Sequence, residues 1–207
     1  MSDSTSARAP GKPFVPGAIA LVFVVLVVWS VIRPASMDVW IAEMGPVLTV
    51  YLLLVLTWRK FRFSNTAYVL MAMWLYWHTV GAHYTFALVP FDFFNHLIGA
   101  SRNEYDRVGH YIIGFYAFAV AEWLIRKRYC GPWLATAFGL TFMMSIAAAY
   151  EIFEWQYAVG EGGEAGIEFL GAQGDIWDAQ KDMLADTLGA VTGLVLFWLV
   201  RPHRAYR

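Results

Sequence analysis

The chain has 207 residues, 59% of them hydrophobic and 15% charged, with a mean hydropathy of +0.49 and a formal net charge of −1. A soluble domain is nearer roughly 45–50% apolar and about 25% charged, so this composition is that of a bilayer protein. No basic tract marks a nucleic-acid partner, and a single cysteine, Cys130, excludes an intramolecular disulfide and a cysteine-built zinc site.

Residues 1–13 carry Ser, Pro, Gly and Lys and read as a disordered tail on the cytoplasmic side. Six apolar spans follow, over residues 15–32, 39–58, 66–89, 108–125, 133–154 and 178–200. Each approaches the ~20 residues a helix needs to cross a bilayer. The first has a modest basic flank (Arg8, Lys12), but its apolar run is long and no Ala-x-Ala site follows. It therefore reads as an uncleaved span rather than a signal peptide. Residues 14–207 are expected to form one all-α integral membrane domain of about six transmembrane helices. Ten Trp, eleven Tyr and fifteen Phe suit two interfacial aromatic belts. No internal repeat is visible, so an inverted-repeat transporter gains no support.

Charge placement predicts the orientation. Arg8 and Lys12 precede the first span, Arg59, Lys60 and Arg62 separate spans two and three, and Arg126, Lys127 and Arg128 separate four and five. Arg201, Arg204 and Arg207 end the chain, so eleven of the fifteen basic residues share one side. Arg33, Arg102, Arg107 and Lys181 fall on the other. The positive-inside rule then places both termini in the cytoplasm and the longer loops, 90–107 and 157–177, outside.

Nearly every ionisable group within a span falls in the outer half. Asp178, Asp182 and Asp186 recur every four residues, so a helix puts them on one stripe, each about 6 Å further along the axis. Asp178 is explained as a residue of a helix start, but Asp186 needs an interior partner, since a carboxylate at that depth costs roughly 2.5–3.5 kcal/mol. Glu151 and Glu154, three apart, share a face of the fifth span. They either close a helix end and pair with Arg102 or Arg107, or join an acidic cluster without matching cations, which wants protons or a metal. Glu43 lies just inside the outer end of span two.

His83 and His110 stand on consecutive spans joined by an external loop and are the predicted histidine partners. His78 is about 140° around the helix from His83 and is the weaker candidate. Either histidine alone is more often a helix bridge than a ligand. His96 lies in a loop and His203 in the C-terminal tail. Gly189 and Gly193 form a small-xxx-small pair for close helix packing, and Glu122 is placed to pair with Arg126 at i, i+4. His nitrogen with carboxylate oxygen suits a divalent Zn, Mn, Fe or Mg. The candidate ligands are His83, His110, Glu151, Glu154, Asp178 and Asp182, and the candidate acid–base groups are Glu151, Glu154, Asp178, Asp182 and Asp186. The chain lacks His-Glu-x-x-His, a Glu-x-x-His pair and a Gly-x-Ser-x-Gly elbow, and the Ser101–His110 segment lacks the Ser-Gly-His element of lipid phosphatases.

The segments Ala82-His83-Tyr84-Thr85-Phe86, Arg102-Asn103-Glu104-Tyr105-Asp106-Arg107, Tyr150-Glu151-Ile152-Phe153-Glu154-Trp155 and the run from Phe169 through Gly174-Asp175 to Met183 resemble the YjdF family of bacterial inner-membrane proteins. The likeness covers about residues 35–200. Glu151, Glu154 and the Trp177-Asp178…Asp182…Asp186-Thr187-Leu188-Gly189 run more distantly resemble the end of VanZ-like proteins, with Asp186 where that pattern has Asn. The resemblance implies a multi-pass protein of the bacterial inner membrane and no particular reaction.

Three functions compete. The first is an enzyme with a His/carboxylate site facing the periplasm or exterior, metal-dependent or acid–base, acting on a lipid-linked or envelope substrate. The second is a cation- or proton-coupled transporter, which at this size would work as a homodimer. The third is a scaffold whose polar cluster only holds the bundle together. Between Asp186 and Arg201 the last span offers only Thr187 and Thr192, so the polar path is one-sided, which disfavours transport.

Overall fold

The computed structural model describes residues 14–202 and residue 204, so the predicted tail 1–13, His203 and Arg207 lie outside the described residues. Among the described residues the regular structure is helical. The helices are α1 (Phe14–Ser30), α2 (Met37–Thr57), α3 (Asn65–Tyr84), α4 (Asp92–Ile98), α5 (Tyr105–Ile113), α6 (Tyr116–Arg126), α7 (Pro132–Glu161), α8 (Gly163–Leu170) and α9 (Asp178–Val200). The predicted spans correspond to α1, α2, α3, the α5–α6 run, α7 and α9. Four of these are long and apolar enough to cross a membrane, Met37–Thr57, Tyr105–Arg126, Pro132–Glu161 and Asp178–Val200, and Val15–Ser30 is a shorter apolar helix. The 20-residue α3 has the length of a span but carries Trp, Tyr and His.

Local chemistry sets the helix ends. Ser36 and Ser64 cap α2 and α3 by accepting from Val39 N (3.4 Å) and Ala67 N (3.2 Å). Pro132 opens α7, where its missing N–H costs nothing. The third span ends at Tyr84 rather than near residue 89, because Thr85 (φ 58°) and Phe86 (φ 41°) turn left-handed. The Phe86 ring then folds back over Gly81, where a Cβ would stand 2.5 Å from it. The fifth span runs on to Glu161, seven residues past the predicted end.

The fourth span is broken once. Around Gly114 the bonds tighten to i→i−3, with Phe115 N to Ile112 O at 3.1 Å and Ala117 N to Gly114 O at 3.0 Å. The cause is contact with α9. A Cβ on Gly114 would collide with Asp186 O and Ala190 N, and one on Gly189 with the Tyr111 carbonyl, while one on Gly193 would press on the Phe115 backbone at 3.0 Å. Three glycines thus let two backbones meet, the small-residue seam expected of helices in lipid. It lies directly below the acidic stripe.

In the rest of the bundle α9 also packs on α6 and α7, while α3 joins the α1–α2 side to the α5–α6 side. Leu21, Val25, Leu52, Leu56 and Leu199 point outward and are exposed, as lipid-facing residues should be.

The two ends differ in charge. At one, Arg59, Lys60, Arg62, Arg126, Lys127 and Arg128 surround a single acid, Glu122, which is fully buried. Glu122 accepts from Ser64 N (2.8 Å), Ser64 Oγ (2.6 Å) and, as its i, i+4 spacing predicts, Arg126 Nη1 (2.5 Å). The carboxylates of α7 and α9 gather at the opposite end.

Candidate functional site

The aspartate stripe opens α9, and Asp178, Asp182 and Asp186 are all buried, each with a different partner. Asp178 Oδ1 accepts from Arg102 Nη1 and Arg107 Nη2, both at 2.5 Å, and its backbone carbonyl accepts from Arg107 Nη1 at 3.3 Å. Burial works against the charged Arg102 guanidinium, but the bond to Asp178 together with the charges of Asp178, Glu104 and Asp106 outweighs it and holds the Arg102 pKa above its ordinary value. Arg107 Nε lies 3.1 Å from Asp182 Oδ1 in an ion pair without hydrogen-bond alignment, so that buried oxygen lacks a hydrogen-bond donor. Asp186 Oδ2 meets His110 Nδ1 at 3.1 Å, the interior partner its depth requires.

Two arginines therefore neutralise the N-terminal end of the stripe, which corrects the expected lack of cations. They take Asp178 and Asp182 and leave Glu151 and Glu154 aside. What positions them is a clasp between the loops that precede α5 and α9. Asn103 N donates to Gln173 Oε1 (3.0 Å), Gln173 Nε2 donates back to Asn103 O (2.9 Å), and Arg102 Nη1 donates to Ala172 O (3.2 Å). Asn103 Nδ2 also donates to Ala87 O and Val89 O, and Tyr105 stacks on Trp77 at 4.2 Å. Asp175 accepts from Lys181 Nζ at 2.6 Å, which with the Trp177 N–H holds its pKa below the ordinary aspartate value.

One turn deeper the balance reverses. Asp106 and His110, at i and i+4 on α5, face Asp182 of α9, and one ligand atom from each of the three lies within 4.8 Å of the others. His110 Nε2 is 3.7 Å from Asp106 Oδ1, while Nδ1 is held by Asp186. An imidazole whose Nδ1–H binds a carboxylate presents Nε2 as a lone pair, here aimed at two carboxylates. Such a group needs a proton or a cation between its members.

Glu151 and Glu154 face the same charges. Glu151 interacts electrostatically with His110, Asp106, Asp186 and Asp178, and Glu154 with Asp106, His110, Glu43 and Glu151. Glu154 is buried, and Glu151 Oε1 is a buried oxygen without a hydrogen-bond partner.

The expected histidine pair is not brought together. His83 turns to α1, with Nδ1 2.9 Å from Ser30 O and its ring 4.3 Å from Trp29, so it stands apart as a helix bridge and drops out of the ligand set. His78 faces the site instead. Its Nε2 is 2.9 Å from Glu43 Oε2, which also accepts from Tyr150 Oη at 2.8 Å. A cavity of about 130 Å³ lies between this triad and Asp106, His110 and Asp186.

Asp106 was missed because it reads as part of a loop motif. Its i, i+4 relation to His110 is the signal that finds it. The Glu43–His78–Tyr150 triad joins three separate helices and leaves no local signal.

Apolar helices enclosing a buried His/carboxylate cluster near one end define a multi-pass membrane protein. The chain belongs to the family of predicted membrane proteins DUF2238, whose model matches residues 15–203. It is similar to the inner membrane protein YjdF of Escherichia coli (strain K12), 35% identical over 195 residues, 93% of this chain and 92% of that protein. No solved structure matches.

Proposed function

We propose that this protein is an inner-membrane enzyme with its site near the outer surface, built on Asp106, His110 and Asp182 around a divalent cation and acting on a lipid-linked or envelope substrate. The observation that carries the reading is the approach of those three ligand atoms within 4.8 Å, with Asp186 holding the second nitrogen of His110. A carboxylate behind a ligating histidine is the usual second-shell support of such sites. The donor set suits Zn, Mn, Fe or Mg. A bound divalent cation supplies Lewis acidity and lowers the pKa of water beside it. Glu151, with its unpartnered oxygen, is the proton acceptor, and Glu154 and Asp178 shape the field around it. The adjoining 130 Å³ cavity holds a reacting group only, which leaves the rest of a lipid-linked substrate in the bilayer.

The basic loops support an orientation with both termini in the cytoplasm and the cluster toward the periplasm. Transport by a homodimer is the weaker reading. Thr187 bonds to Met183 O of its own helix and Thr192 to Leu188 O and Tyr111 Oη, and beyond Thr192 α9 carries no ionisable side chain, so the polar path stays one-sided.

Metal analysis of purified protein tests the proposal. One divalent ion per chain is expected in wild type and less than one-tenth of that in His110→Ala and Asp182→Ala. A metal-free wild type together with unchanged envelope lipids in a deletion strain would sink it, and proton or cation flux in liposomes would turn the assignment to transport.

A further inference from the structure

We propose that the groove between α1 and α2, at the basic end of the molecule, binds an anionic phospholipid, its acyl chain in the groove and its phosphate at the Arg59–Lys60–Arg62 loop. Helices α1 and α2 both lie on α3. They are tied at one end by Trp40 Nε1 donating to Ser30 Oγ (3.1 Å) and at mid-height by the rings of Phe23 and Tyr51, 4.5 Å apart. Beyond that point an apolar cavity of about 370 Å³ opens, lined among others by Gly17, Ala20, Phe23, Tyr51, Trp58 and Met71. Ligand pockets typically begin at about 300 Å³. The groove is walled by span residues, so hydrocarbon is what surrounds it.

The rim chooses the headgroup. Trp58 lines the cavity, and the Arg62 guanidinium lies 4.9 Å over its ring, which puts a cation at the mouth. Arg59, Lys60 and Arg62 are exposed, and the one acid near them among the described residues, Glu122 of α6, is buried and bonded to Ser64 and Arg126. Among the described residues nothing acidic at this rim competes with a lipid phosphate. Each cation near a membrane surface favours an anionic lipid by roughly fivefold. Other occupants fit less well. Residues 1–13 carry Arg8 and Lys12 among Ser, Thr and Pro, too polar for the groove and of the rim's own sign, and a second copy would bring the same basic rim against it.

Full-length protein in detergent, given equal phosphatidylglycerol and phosphatidylethanolamine, is read by native mass spectrometry. Wild type should retain phosphatidylglycerol at least about fivefold over phosphatidylethanolamine. Arg59→Gln/Lys60→Gln/Arg62→Gln should erase that preference. Gly17→Phe, at a position where an added Cβ meets nothing within 4 Å, should cut retention of both lipids about fivefold. Thermal unfolding of unmodified wild type gives an independent reading, with phosphatidylglycerol raising the midpoint and phosphatidylethanolamine not. Equal retention of the two lipids by wild type overturns the proposal. So does lipid retention undiminished by Gly17→Phe, which would mean attraction to surface charge alone. Retention that rises on deleting residues 1–13 would make the tail the occupant, and dimers in place of bound lipid would make it a second copy.

Discussion

Glu122 and Asp182 are both buried carboxylates on apolar helices, at opposite ends of the bundle, and their surroundings differ in kind. Glu122 has three donors on its two oxygens, one of them the Arg126 guanidinium. Asp182 has one imperfectly aligned guanidinium and shares its space with Asp106, Asp178 and the His110 ring. The first arrangement is complete without help and holds α3 to α6. The second is held in place by the glycine seam and the loop clasp at a cost in electrostatic energy. Buried charge that is fully partnered joins elements, and buried charge kept in excess points to a ligand.

The sharpest way to break this contrast is to remove each group in turn. Glu122→Ala leaves Arg126 and the α3 cap without their acceptor and should cost about 3–5 kcal/mol in unfolding from detergent micelles. Asp182→Asn relieves repulsion in the metal-free protein and should leave that stability unchanged or raised. A loss at Asp182 as large as that at Glu122 would erase the distinction.

Asp186→Asn keeps the shape behind His110 but removes its charge. Metal affinity measured by competition with a chelator should fall about 10–100-fold while the helix content stays constant. Gly189→Ala tests whether the seam sets the site. Its Cβ would strike the Tyr111 carbonyl, so a loss of about 1–3 kcal/mol in thermal unfolding is expected, together with weaker metal binding as α9 moves away from α5. The smallest effect concerns Asp175, whose pKa lies below the usual 3.8. A depressed carboxylate contributes stability that is present above its unfolded pKa and lost as the pH falls through the folded one. Lys181→Ala should therefore raise the Asp175 titration midpoint, read by carbon-13 NMR of the labelled carboxyl, and shrink that acid-sensitive contribution.

The spans were legible because lipid demands long apolar runs, and Asp178, Asp182 and Asp186 because a period of four survives in any helix. The Glu122–Arg126 pair and the Gly189–Gly193 contact followed for the same local reason. The choice between His78 and His83 failed because helical spacing separates two faces without saying which one meets α1. Arg102 and Arg107 could not be placed, since their route to Asp178 runs through a loop clasp more than sixty residues apart in the chain. Asp106 was within reach of the i, i+4 rule but lay outside the predicted start of its span.

The clasp also has a consequence for biogenesis. Arg107 and Asp178 are 71 residues apart, and α9 leaves the ribosome after the other helices described. While α6, α7 and α8 are being made, Arg102, Arg107, Asp106 and His110 await every partner that α9 supplies. Charged groups at that depth are costly alone, so α5 is stably seated only once α9 inserts beside it. A chain halted before Asp178 would expose this uncompensated half-site to membrane quality control.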